Sequence, residues 1–191
     1  MVDFANMTSE NEGRRWASRP DGDFFGLTPR RVDVFKDWVL GMSIGQTAEH
    51  LVLAENTVKT YRSDITECIR DRCSGGFPGG RASGTLTRMA MTRAVIRCVA
   101  DRSIKGVDVP EGVRLTAREA EVSGLMLQGM NTEEVAKRPG FSNRAAEADF
   151  RNIYSKLGLG DLRAEKYVPA VARLVVLAMK HGAEGNNSGN S

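Results

Sequence analysis

Apolar residues in this chain recur at three- and four-residue steps, and one stretch shows the pattern most cleanly. From Leu53 to Ile65 and on to Ile69, the residues Val58, Tyr61, Ile65 and Ile69 fall on one stripe of a helical period. Rotation by about 100° per residue puts Asn56, Lys59, Thr60, Ser63 and Glu67 on the opposite side. The spacing predicts a helix with a core-facing stripe and an outward face of short or flexible polar groups. Upstream, Thr28-Pro29 reads as a helix start, with a side-chain oxygen to accept from the first free amides and a proline where no donor is needed. Val34, Phe35, Trp38 and Val39 supply that helix with a core face, and Gly41 ends it. Ser43 caps a second helix, whose core positions are Ile44, Thr47, Ala48 and Leu51; Val52-Leu53-Ala54 makes the turn.

After Ile69 the pattern breaks in a glycine-rich stretch, Asp71 to Arg81, which lacks the order of a phosphate-binding loop and reads as a mobile insertion carrying Arg72 and Arg81 next to Arg70. Leu86 to Ala100 resumes as a helix with Met91, Val95, Cys98 and Val99 on one side. Asp101 to Arg114, with Gly106, Pro110 and Gly112, reads as a linker. Beyond it the pattern starts again: Leu115-Thr116-Ala117-Arg118 repeats Leu27-Thr28-Pro29-Arg30 at an offset of 88 positions. The same offset superposes Val122 on Val34, Gly129-Met130 on Gly41-Met42, Ala136 on Ala48 and Ile153 on Ile65. Matches at caps, breaks and core positions together predict a tandem repeat of one helical unit.

The run from Leu27 to Ile69 resembles the LuxR/GerE-type helix-turn-helix family. Leu27-Thr28-Pro29-Arg30, the break Leu40-Gly41-Met42-Ser43, Thr47-Ala48-Glu49-His50-Leu51, and Thr57-Val58-Lys59 opening the third helix carry the likeness. Arg31 in place of the usual glutamate and Thr47 in place of the usual isoleucine depart from it. The resemblance implies an all-α chain of two tandem tetra-helical modules, and a recognition helix that enters the major groove. On that reading Asn56, Lys59, Thr60 and Ser63 face base edges. Thr57, Tyr61 and Arg62 sit at the margins, on phosphates or core contacts, together with Arg30 and Ser43 near helix starts.

The second copy keeps the scaffold but not those residues. Ala145-Ala146-Glu147-Ala148-Asp149 stands where the first has Thr57-Val58-Lys59-Thr60-Tyr61, so two acids are expected where a phosphate backbone would approach, with Arg144 and Arg151 flanking them. Pro139-Gly140 in place of Leu51-Val52 should shorten the second helix or change its angle. In the last helix, expected from about Leu162 or Pro169 to Lys180, Val171, Leu174, Val175 and Ala178 form a stripe that Val168, Ala172, Leu177 and Met179 widen. That is more apolar surface than a three-helix core needs, and it asks for a partner: the other repeat, a second chain or another protein.

Composition changes this picture little. The 191 residues are 41% hydrophobic and 27% charged, enough for one average domain or two small ones. The net charge of +3 is compatible with a phosphate-facing patch without requiring one. No apolar run spans a bilayer, and Met1 to Asn6 lacks a basic segment followed by an apolar one, so a cytoplasmic location without membrane contact is expected. Cys68, Cys73 and Cys98 cannot all pair, and neither they nor His50 and His181 show metal-ligand spacing; no metal or cofactor is expected. No nucleophile–base pair or phosphate loop suggests an enzyme.

The expected organisation is therefore a flexible arm over residues 1–26 with Arg14, Arg15 and Arg19, a first module over 27–100, a linker over 101–114, a second, divergent module over 115–181, and a flexible tail over 182–191. The function this implies is that of a DNA-binding transcription regulator, its first module reading the major groove of double-stranded DNA and its second serving dimerisation or partner contact. A homodimer, RNA polymerase or another regulator are the candidate partners. The rival reading is a regulator acting mainly by protein contact, through the second module.

Overall fold

The computed structural model describes residues 24–73, 84–160 and 166–187, and these are helical without strands. In chain order the helices are α1 (Pro29–Leu40), α2 (Ile44–Leu51), α3 (Glu55–Cys73), α4 (Gly84–Ala100), α5 (Ala117–Met126), α6 (Thr132–Ala136), α7 (Asn143–Lys156) and α8 (Tyr167–Asn187). The first module packs α1, α2 and α3 around Val34, Phe35, Val39, Val58, Ile65 and Ile69, all fully buried, and α4 closes over α3. The second packs α5, α6 and α7 around Val122, Val135, Ala146 and Ile153. The repeat is thus visible in three dimensions, since α3 and α7 begin at positions 88 apart.

Helix starts differ between the copies for a local reason. Thr116 Oγ1 accepts from Glu119 N at 3.2 Å while Glu119 Oε2 accepts from Thr116 N at 2.7 Å, a reciprocal cap. The expectation that Thr28 caps α1 in the same way fails: its side chain makes no cap hydrogen bond. Arg31 occupies the position of Glu119, and a cation cannot accept from the Thr28 amide, so it turns to Asp64 on α3 instead. Ser43 does cap α2, accepting from Gln46 N at 3.2 Å while Gln46 Oε1 accepts from Ser43 N at 2.9 Å. Gly41 and Gly129 end α1 and the turn after α5 in the left-handed region, at φ 94° and 89°.

Other boundaries also move. The glycine-rich break begins later than expected, because α3 runs on to Cys73, and α6 is cut to five residues against eight in α2. The last helix continues to Asn187, which replaces the expected tail over 182–187. Ile104 and Val109 are buried, so the 101–114 segment is packed into the core and is more than a tether. Arg14, Arg15, Arg19, Arg81, most of the glycine-rich stretch and the final four residues lie outside the described residues.

The two modules share one contiguous core. Although α8 belongs to the second repeat, its main contacts are with α4 and α1 of the first. Tyr167 anchors its start, donating to Met126 O at 2.7 Å and lying 2.9 Å from Thr92 Oγ1 on α4. Val171, Leu174 and Val175 are buried within the chain and Ala178 is half-buried. Apart from Met179, which is 44% exposed, the surplus apolar surface is therefore covered by the other repeat, which removes Val171, Leu174 and Val175 as a contact for a second copy or another protein. In return, α4 reaches the second module: Arg88 pairs with Glu134 at 2.9 Å and donates to Gly129 O at 3.2 Å, and Thr85 donates to Glu134.

Candidate nucleic-acid interface

The outward face of α3 is arranged as its periodicity requires. Asn56, Lys59, Thr60, Ser63 and Glu67 are all exposed, whereas Val58, Ile65 and Ile69 are fully buried and Tyr61 is half-buried. Thr60 Oγ1 donates to Asn56 O at 3.0 Å, so its donor is engaged by its own helix and its methyl and lone pair remain outward. Thr57 is half-buried at the margin. Ala54 precedes α3 where Ser142 precedes α7; Ser142 Oγ accepts from Ala145 N at 3.3 Å, and alanine offers no such oxygen.

Three of the nine expected contacts take on structural work. Arg62 is 4% exposed; its guanidinium donates to Met42 O at 2.8 Å and stacks 5.1 Å from the centre of the Trp38 ring. It binds α3 to the end of α1, so of the two roles expected for it, phosphate or core contact, it takes the core contact and is withdrawn from DNA. The rotation that places Tyr61 on the core stripe also turns its neighbour inward across the α1–α2 break. Arg30 is exposed, but its guanidinium donates to Leu51 O and so ties the start of α1 to the end of α2. Ser43 is exposed with its hydroxyl engaged in the cap of α2. Tyr61 stands near Arg31, whose guanidinium carbon is 6.0 Å from the ring centre.

The second module departs further from expectation. Only Glu147 of its two new acids faces solvent. Asp149 is buried and accepts from Arg118 Nε at 2.8 Å, and the Arg118 guanidinium lies 4.7 Å from the centre of the Phe141 ring. The acid that should have repelled a phosphate is neutralised inside the module. Arg144 and Arg151 on α7, and Lys137 and Arg138 in the turn before it, are exposed. Lys137 and Arg138 drew no attention in the sequence, although the 88-residue offset places them on Glu49 and His50, the outward end of α2.

Among the described residues no group of side chains could hold a metal ion, and no helix is long and apolar enough to cross a membrane.

Comparison with known proteins agrees with this geometry. A protein of Aeromonas salmonicida, named as an HTH-type transcriptional regulator in the exeN 3′ region, is 43% identical over 56 residues, which cover 29% of this chain and 28% of that protein. The chain thus spans well under half the length of that relative. No solved structure matches. The family described as bacterial regulatory proteins, luxR family, matches residues 26–70 and 113–164, one segment in each module. With half of its length matched across both repeats, the chain belongs to the LuxR family of bacterial regulatory proteins.

Proposed function

We propose that the chain is a DNA-binding transcription regulator in which α3 enters the major groove and reads sequence through Asn56, Lys59, Thr60 and Ser63. One observation carries the reading: these four side chains are exposed together on one face of a helix whose opposite stripe is fully buried. A lysine offers donors to guanine acceptors, an asparagine can pair with adenine, the serine hydroxyl serves either, and Thr60, its donor engaged by Asn56 O, offers an acceptor and a methyl. The second module acts as an internal partner. By pairing α8 with α4 it buries within one chain the apolar surface that a lone module would present to another, so a homodimer through that surface is not part of the proposal.

The test combines genomic footprinting of the tagged chain with binding of the recovered sites by Lys59→Glu. Lys59 is exposed, so the variant should fold as the parent does. A lost base contact is worth about 1–3 kcal/mol, so affinity for a recovered site should fall roughly tenfold or more, and the preference over unrelated duplex should shrink. Equal affinity for site and unrelated duplex in both proteins would refute base reading by α3. Absence of salt-sensitive duplex binding by the parent would refute the DNA-binding function itself.

A further inference from the structure

The charge on the two helix-turn-helix surfaces is opposite in sign to what the recognition helices alone suggest. Over residues 45–67 the exposed ionised side chains are Glu49, Glu55 and Glu67 against a single cation, Lys59. Over the equivalent residues 133–155 they are Lys137, Arg138, Arg144 and Arg151 against Glu133 and Glu147. The first surface is net acidic and the second net basic by the same magnitude. Arg70 pairs with Glu67 at 3.2 Å, which softens the first difference without reversing it.

The four cations lie on two adjoining elements. Arg144 and Arg151 are seven residues apart on α7, which puts them on one face two turns apart. Lys137 and Arg138 follow directly on α6, which packs against α7, in the turn leading to that helix. Arg138 is steadied by a 3.7 Å contact with Met130 Sδ, a neutral group that leaves its charge uncompensated. Neither Arg144 nor Arg151 has an ion-pair partner among the described residues, although the exposed Glu147, three residues after one and four before the other, shares their face; the other acid of the helix, Asp149, is turned inward and taken by Arg118.

We propose that Lys137, Arg138, Arg144 and Arg151 form a second docking surface for duplex DNA, one that holds the phosphate backbone without reading sequence. Building on the DNA-binding reading above, the inference divides the work between the modules: α3 supplies sequence preference from a surface that phosphates do not favour, and the second module supplies most of the electrostatic attraction. Each cation that neutralises a phosphate releases condensed counterions, so the slope of log K against log salt counts such contacts at about 0.9 each.

Fluorescence anisotropy of the full chain on a labelled random-sequence duplex, over a range of salt, tests this. The Arg144→Glu/Arg151→Glu double variant should bind at least about tenfold more weakly at moderate salt and flatten the slope by about two. Glu147→Lys should bind more tightly and steepen it by about one. Lys59→Glu should change the slope by no more than about one while losing preference for a footprinted site. All four positions are exposed, and unchanged circular dichroism and denaturation midpoints establish folding. A parental slope in the double variant, combined with loss of binding in Lys59→Glu, would overturn the inference and leave α3 as the DNA contact. No duplex binding by the parent would overturn both readings. Arginine-dependent binding to phosphatidylglycerol vesicles without duplex binding would assign the surface to a membrane and overturn the inference.

Discussion

At the start of α5, Thr116 and Glu119 exchange hydrogen bonds, whereas at the equivalent start of α1 Arg31 replaces the acid and Thr28 makes no cap bond. Three further pairs differ in the same sense. Val135 is buried in α6 where α2 buries Thr47, whose hydroxyl has no partner among the described residues. Gly140 takes the left-handed turn at φ 84°, and Val52 takes it at 52°. Ser142 caps α7 where α3 has Ala54. At each position the second module obeys the local rule and the first breaks it. Two of the four lie in the turn that presents α3, and a third in the helix that leads to it. Local faults concentrate where a surface is shaped for something other than stability, and the comparison separates the two demands within one chain.

The left-handed glycines that follow the first helix of each module should break the comparison most sharply. A Cβ on Gly129 would lie 2.6 Å from Met89 Cγ and 2.8 Å from Met89 Cα, so α4 would have to move. At Gly41 the nearest atom is Pro169 Cβ at 3.4 Å, an ordinary contact. Both substitutions force an L residue into the left-handed region at about 1–2 kcal/mol; Gly129→Ala adds overpacking of about 1–3 kcal/mol. Urea denaturation should therefore show Gly129→Ala costing about 3 kcal/mol or more and Gly41→Ala about half of that. Equal losses would mean that α4 does not press on the second module.

Much of this was legible beforehand and some was not. The caps, breaks and buried stripes follow from residue type and period, which is why the 88-residue offset found both modules. The choice between phosphate and core contact for Arg62 was not legible, since the Trp38 ring lies on another helix and its carbonyl partner Met42 in the break that follows it. Inward Asp149 was legible: the offset aligns it with Tyr61 on the core stripe, where an acid requires a base beside it. Exchange of partners between α4 and α8 depends on three-dimensional packing that periodicity does not encode. An apolar stripe states that a partner exists and leaves its identity open.

Glu134 offers a smaller effect with a sign that pH can read. It accepts from Asn131 N at 2.8 Å to cap α6 and also holds Arg88 and Thr85 of α4. Its counterpart in the first module, Gln46, caps α2 alone and is exposed. Burial works to raise the Glu134 carboxyl, but hydrogen bonds from Thr85, Asn131 and Arg88 outweigh it and hold the group below its ordinary value of 4.5. A carboxyl lowered by folding stabilises the folded state above its ordinary value, and that contribution is lost as pH falls through the lower, folded one. Glu134→Gln keeps a capping acceptor and loses the charge toward Arg88, which should cost roughly 2 kcal/mol near neutrality. The cost should shrink on acidification below 4.5. Glu119, lowered in the same direction despite its burial by Lys156 and Thr116, would sustain the remaining acid sensitivity. A pH-independent cost would show that the charge does not hold the two modules together.

The smallest effect tests the strained turn. Val52 is 89% exposed in the left-handed region at φ 52° and ψ 56°, so its side chain gains almost nothing from packing to offset the backbone cost. That cost is about 1–2 kcal/mol for a residue bearing a Cβ, and a branched side chain adds to it. Val52→Gly transplants the residue of the second module and gives back part of the gain, since glycine loses about 0.5–1 kcal/mol more backbone entropy on folding. A net stabilisation of about 1 kcal/mol remains, a rise in Tm of roughly 2–4 °C for a chain of this size. Gly140→Val, where a new Cβ would meet nothing within 4 Å, should lose a similar amount from strain alone. If instead Val52→Gly lowers Tm, the valine has a packing partner, the turn of the first module is not the weaker of the two, and the separation of demands drawn from these positions fails there.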